Sequence, residues 1–193
     1  MGFDIRPGEV QTAVLATRKL IEMRGLKPHY LVHPDIVEEI GPSHPTPDVV
    51  VLGDAGPFFT YEALNVVFRL VMQGLPLLAM ARNRYFMEAD GLSLDMGAYV
   101  TGLEYSAGVK AEIVGKPALP FFEAALAGLG VAAEQAVMIG DDLADDIGGA
   151  HAAGIPGVLV RTGKFRRGDD QHVQIRPTVV VDDFAAAVDA LLG

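Results

Sequence analysis

Val137-Met138-Ile139-Gly140-Asp141-Asp142 is a short apolar run that stops at a glycine and delivers two carboxylates into the next segment. Buried parallel strands read as short apolar runs, and ligands in open α/β sheets collect beyond the carboxyl ends of the strands. Asp141 and Asp142 therefore stand where chemistry is expected. The adjoining stretch, Leu143 to Gly154, reads as a helix closed by that glycine, with Pro156 two places on. Asp146 lies one turn inside it, on the side that can face back toward the strand end.

Composition bounds what this stretch can serve. At 193 residues the chain can bury a real core as one domain or two small ones. Half of its residues are hydrophobic and it carries 22 glycines and 12 prolines, which points to an α/β protein with many tight connections. Without cysteine there is neither a disulfide framework nor a thiolate metal site. No apolar run approaches the ~20 residues that span a bilayer, and the first residues lack the basic start and apolar core of a signal peptide, so the expected location is the cytoplasm. A net charge of -10 argues against nucleic-acid partners, whose phosphates most of the surface would repel. A small anion in a locally basic cleft is not excluded.

Outward from the opening stretch, apolar runs and amphipathic segments alternate. Pro7 to Arg24 has helical spacing and stops before Gly25, 29–33 reads as a strand, and Asp35 to Ile40 as a brief helix capped by Asp35. Proline-rich 41–47 is loop, 48–53 a buried strand, Thr60 to Gln73 an amphipathic helix, 76–81 a strand, and Arg82 to Asp95 a polar loop. Gly97 to Ala107 reads as a helix ended by Gly108, where a second series opens. It runs through a strand at 110–114, a helix through Phe121 to Leu129, the opening strand and its helix, strands at 157–161 and 178–181, and a closing helix from Asp183. Such alternation implies a parallel or mixed sheet with helical cover, in two sub-domains that meet near 95–109.

Four carboxylates, Asp141, Asp142, Asp145 and Asp146, lie within six residues. One aspartate would suffice to cap the helix and complement its dipole. Four repel one another, and a hard cation such as Mg²⁺, which takes one or two carboxylates plus water and phosphate oxygens, accounts for them more economically. Lys116, between a strand and a helix start, is opposed by the helix dipole and would be relieved by a nearby anion. It shares the carboxyl-end edge of the sheet with the aspartates. Arg82, Arg84 and Lys164 sit in loops after strands and can bind an anion or simply be solvated. The five histidines show no ligand spacing, and Gly53-Asp54-Ala55-Gly56 lacks the length and lysine of a P-loop.

Gly115-Lys116-Pro117, followed by Val137-Met-Ile-Gly-Asp141-Asp142-Leu-Ala-Asp-Asp146-Ile-Gly-Gly-Ala, is similar to the third and fourth motifs of haloacid dehalogenase (HAD) superfamily phosphatases. The segments Val50–Gly53, Phe59–Leu64, Asp90-Gly91, Gly97–Tyr105 and Thr162–Phe165 resemble the subgroup with an inserted α/β cap, which includes HAD-like domain-containing protein 2 and NagD-type phosphatases. The resemblance implies a HAD-like Rossmannoid parallel sheet, here with an incomplete core, plus a smaller α/β cap. Residues 1–105 would be the cap domain and 106–193 the C-terminal part of the catalytic core. It also implies Mg²⁺ held by Asp141 and Asp142, Asp146 supporting the metal site and the lysine, Lys116 neutralising the phosphoryl group, and a small phosphate ester as substrate.

One departure stands out. The family attacks phosphate with the first Asp of an Asp-x-Asp or Asp-x-Ser motif after an N-terminal strand, and this sequence holds none. Asp4 follows no buried strand, and Asp182-Asp183 lacks the spacing. About two βα units, ~60 residues, are expected to be missing, leaving a truncated form weakly active or inactive alone, because the aspartyl-phosphate route needs a covalent nucleophile. The nucleophile strand would pair with strand 136–139, so that strand is expected to have an open edge, and the chain is expected either to dimerise through it or to be a truncated form of a longer protein. The rival readings are a non-catalytic HAD-fold binding or assembly module and, more distantly, a phosphoacceptor receiver domain.

Overall fold

A computed structural model describes residues 5–193 of the chain, so Asp4 lies outside the described residues. The contacts divide the chain into two units, Gln11–Gly115 and, apart from it, Lys116–Gly193 with the residues through Val10.

In the first unit, helix α1 spans Ala13–Arg24 and does not begin at Pro7. Pro7–Glu9 forms only a 3₁₀ turn. The start is set by Thr12, whose hydroxyl accepts from the Leu15 amide at 3.0 Å, and the end by Gly25 in the left-handed region at φ 61°. Strand β1, Pro28–Leu31, is followed by a 3₁₀ turn at Pro34–Ile36 and the short helix α2, Val37–Ile40. Asp35 is not its cap: the ring nitrogen of His33 accepts from the Asp35 amide at 3.3 Å. Strand β2, Val49–Leu52, is buried on both faces and sits inside a parallel sheet. Helix α3, Tyr61–Met72, capped by Thr60, and strand β3, Leu77–Ala79, continue the alternation.

The expected polar loop at 82–95 instead contains a hairpin of β4, Tyr85–Glu88, and β5, Gly91–Leu94. Its antiparallel register sets Tyr85 against Leu94 and Met87 against Leu92, so one face is apolar, a period-two signal hidden by its shortness. Helix α4, Gly97–Ala107, ends at Gly108 as expected, and β6, Glu112–Ile113, pairs in parallel with β3. This pairing gives the sheet the order β1-β2-β3-β6 and ties 108–115 to the first unit. The expected boundary at 105/106 therefore does not coincide with the division between units, which falls between Gly115 and Lys116.

The second unit opens with helix α5, Leu119–Leu129, and strand β7, Met138–Gly140. The helix expected over 143–154 is not uniform. Leu143–Gly148 is π-helical, with the Ile147 amide reaching the Asp142 carbonyl at 3.3 Å, before α6, Gly149–Ala152, resumes normal winding. Strands β8, Gly157–Val160, and β9, Val179–Val181, and helix α7, Phe184–Leu192, complete the unit. The sheet order is β7-β8-β9, all parallel. Only β8 is fully buried. Expected from sequence to be a buried strand, β7 is half-buried, because among the described residues it has a strand neighbour on one side only. No helix among the described residues is long and apolar enough to cross a membrane.

Candidate active site

The site grows from the carboxyl end of β7. Gly140 there lies so close to Asp146 that a Cβ would collide with the carboxylate. The wider π-helical turn carries Asp146 back beneath the strand end, where the residue is 5% exposed. A buried carboxylate needs a partner. Asp146 Oδ1 accepts from Lys116 Nζ at 2.6 Å and Oδ2 from the Asp142 amide at 3.2 Å. Residues from opposite ends of α5 and β7 thus share one charge-assisted bond, the lysine anchored and still partly open to solvent.

Asp142 does cap the helix: its Oδ1 accepts from the Ala144 and Asp145 amides, both at 3.0 Å. Its Oδ2 stands 3.3 Å from Lys164 Nζ. Asp141 is held through Oδ2, which accepts from the Lys164 amide at 2.6 Å. Gly163, at φ 47°, permits this approach, since a Cβ there would overlap the Asp141 carboxylate. The sequence leaves Lys164 as either an anion binder or a solvated side chain. In the structure Lys164 turns inward to the two aspartates, a contact that the Gly163-Lys164 pair after β8 signals only once the loop's path is known.

Four carboxylates here face two ammonium groups. Burial, and next the charge of Asp142, push the Asp145 carboxyl up to about 6 from its ordinary 3.8; Asp146 adds to this, while Lys164 and Lys116 oppose it. Within the cluster the carboxylates thus disfavour one another's ionisation. No three histidine or acidic side chains among the described residues form a ready cage for a metal ion. The donor set nonetheless suits a hard cation that keeps its water and takes one or two carboxylate oxygens. Asp141, anchored through one oxygen by one amide, is the better-placed donor; Asp142 is more heavily committed to the protein.

Arg82 and Arg84 belong to the other unit. Arg82 donates to the buried Glu104 at 2.7 Å. Arg84 lines a cleft of about 700 Å³ with Tyr85, Leu92, Leu94 and Thr101. Of the residues singled out in the sequence, Lys116, Asp141, Asp142, Asp146 and Lys164 are gathered in one place.

A sheet-end carboxylate cluster with an aspartate-held lysine suits phosphoryl chemistry, and the class is given by likeness to known proteins. Residues 113–187 match the HAD-hydrolase-like family model. The chain is 44% identical over 195 residues to phospholysine phosphohistidine inorganic pyrophosphate phosphatase of Rattus norvegicus, covering 100% of this chain and 72% of that one. It is 42% identical to haloacid dehalogenase-like hydrolase domain-containing protein 2 of Bos taurus, covering 98% and 74%. Among solved structures, glycerol phosphate phosphatase of Mycobacterium tuberculosis in complex with magnesium superposes with a TM-score of 0.81 at 25% identity, covering 96% of this chain and 59% of that one. This chain belongs to the haloacid dehalogenase-like hydrolases, and within them to the phosphatases.

Proposed function

We propose that the chain is the metal- and lysine-bearing part of a Mg²⁺-dependent phosphatase acting on small phosphate esters. The observation that carries this reading is the 2.6 Å Lys116–Asp146 pair beside Asp141 and Asp142 at one strand end. Asp141 and Asp142 would hold the ion, which supplies charge neutralisation at the phosphoryl oxygens. Asp146 fixes the ammonium group of Lys116 by a charge-assisted hydrogen bond, so that its remaining N–H bonds can point at a phosphoryl oxygen and offset the charge that builds there. Gln11–Gly115 would form the α/β cap, with Arg84 in its cleft as a candidate anion binder, and 116–193 the C-terminal part of the catalytic core. Because no Asp-x-Asp or Asp-x-Ser occurs in the sequence, turnover by these 193 residues alone is expected to be weak or absent. Where no preceding strand covers the open side of β7, a second copy docked there is the alternative assembly.

The test is hydrolysis of p-nitrophenyl phosphate, inorganic pyrophosphate and glycerol phosphate with and without MgCl₂. It is run on this chain and on a longer chain carrying the codons upstream of Met1. Magnesium-dependent turnover by the longer chain that vanishes with Asp141→Ala is expected; turnover that survives Asp141→Ala overturns the reading. A second reading, a binding module that kept the fold without the chemistry, is favoured by one observation: both oxygens of Asp142 are already engaged by the protein. Absence of Mg²⁺ binding together with a stable dimer on sizing would select it.

A further inference from the structure

Resting on the Mg²⁺ reading above, we propose that Lys164 is a built-in counter-cation. Its ammonium group stands on Asp142 while no divalent ion is bound, and it gives up that carboxylate when one enters. Lys164 touches the pair in two ways: its amide donates to Asp141 Oδ2 at 2.6 Å and its Nζ lies 3.3 Å from Asp142 Oδ2. The side chain is only 19% exposed, against 39% for Lys116. An ammonium group is strongly hydrated, so it goes that deep only to answer charge.

The two contacts have different freedom. The amide is part of a braced loop: the Phe165 amide bonds the Thr162 carbonyl at 2.9 Å, and Phe165 packs on the cluster of Leu143, Ile147 and Leu159. Arg161, at the loop's base, pairs with Asp182 at 2.9 Å and Asp170 at 3.6 Å. The Nζ, in contrast, rides on a four-carbon stem with free rotors. A cation bound at Asp142 Oδ2 competes with the ammonium group for that oxygen, and the two positive charges repel at this range. The backbone of the loop therefore stays and keeps Asp141 aimed, while the lysine tip leaves. Lys116 is not the one displaced, because its partner is Asp146. Lys164 is thus a positioning residue that sets metal affinity.

The experiment titrates MgCl₂ into the 193-residue chain by calorimetry and follows the melting temperature. It compares wild type with Lys164→Met, which keeps the stem without the charge, and Lys164→Arg, which keeps the charge. The Met variant is expected to melt lower without metal, to bind Mg²⁺ roughly 5- to 10-fold more tightly, and to gain more in melting temperature on metal addition; the Arg variant is expected to match wild type. A measurement on the unaltered protein stands beside this: amine acylation at Lys164, read by mass spectrometry, is expected to speed up several-fold with MgCl₂. Wild type that binds no Mg²⁺ overturns the metal reading and this inference with it. Wild type that binds Mg²⁺, with no tightening in Lys164→Met or no change in Lys164 acylation, overturns the inference alone.

Discussion

Two buried carboxylates, one in each unit, are both hydrogen-bonded through each oxygen, but they keep different company. Glu104 is 5% exposed, yet every demand it makes is met inside its own unit. Arg82 Nη2 donates to one oxygen at 2.7 Å with Lys110 at 3.7 Å, and the Ala111 amide donates to the other at 3.0 Å. At the end of β7, where Asp146 is buried, four carboxylates share two lysines and Asp145 is driven up to about 6. A carboxylate held alone among cationic and amide donors is part of the architecture; several carboxylates crowded together are what a cation would relieve. The difference also locates Arg82, a candidate anion binder by sequence, as a partner committed to Glu104.

Substitutions in the two clusters should differ in the size of their effects. The largest belongs to chemistry: in a turnover-competent longer chain, Lys116→Ala should lower kcat by about 10³-fold, roughly 4 kcal/mol of transition-state stabilisation. Steady-state kinetics with p-nitrophenyl phosphate would read this, and a loss confined to KM would show that Lys116 only binds substrate. Next, Glu104→Ala should destabilise the chain by about 3 kcal/mol, because it strands Arg82 and the Ala111 amide. Urea unfolding measures it, and a cost below about 1 kcal/mol would remove Glu104 as the architectural case.

Asp145→Asn should do the reverse and raise stability by about 1 to 2 kcal/mol near pH 7 without metal, after allowance for solvent screening. Its sign follows from the raised carboxyl: the folded chain binds the proton more tightly than the unfolded one, so its stability falls as pH rises from about 4 through about 6. The Asn variant should flatten that window, and Tm against pH decides. The smallest effect is Arg24→Ala, at about 0.5 kcal/mol, since the Arg24–Glu112 pair is half-exposed. Here the hydrogen bond from Arg24, with its charge added, holds the Glu112 carboxyl below its ordinary value against the opposing pull of burial. That contribution is present above about 4.5 and fades as pH falls through the lowered value, the opposite slope to Asp145. A variant without Arg24 should lose this acid limb.

By itself the sequence determined the alternation of parallel strands and helices, because apolar runs such as Val49–Leu52 and helical spacing such as that of Tyr61–Met72 are local signals. It also marked Lys116, Asp141, Asp142 and Asp146, because a dense set of like charges after an apolar run is costly wherever it folds. Tertiary structure decided the rest. Whether Lys164 and Arg82 face solvent or a carboxylate depends on loop paths that bring residues more than twenty positions apart within 3.3 Å. The hairpin at 85–94 needed its cross-strand partners before its alternation meant anything. The helix after β7 took its π turn where Gly140 and Asp146 meet, and no local propensity encodes it: the buried carboxylate packs under the strand end against Lys116, which comes from the other side of α5.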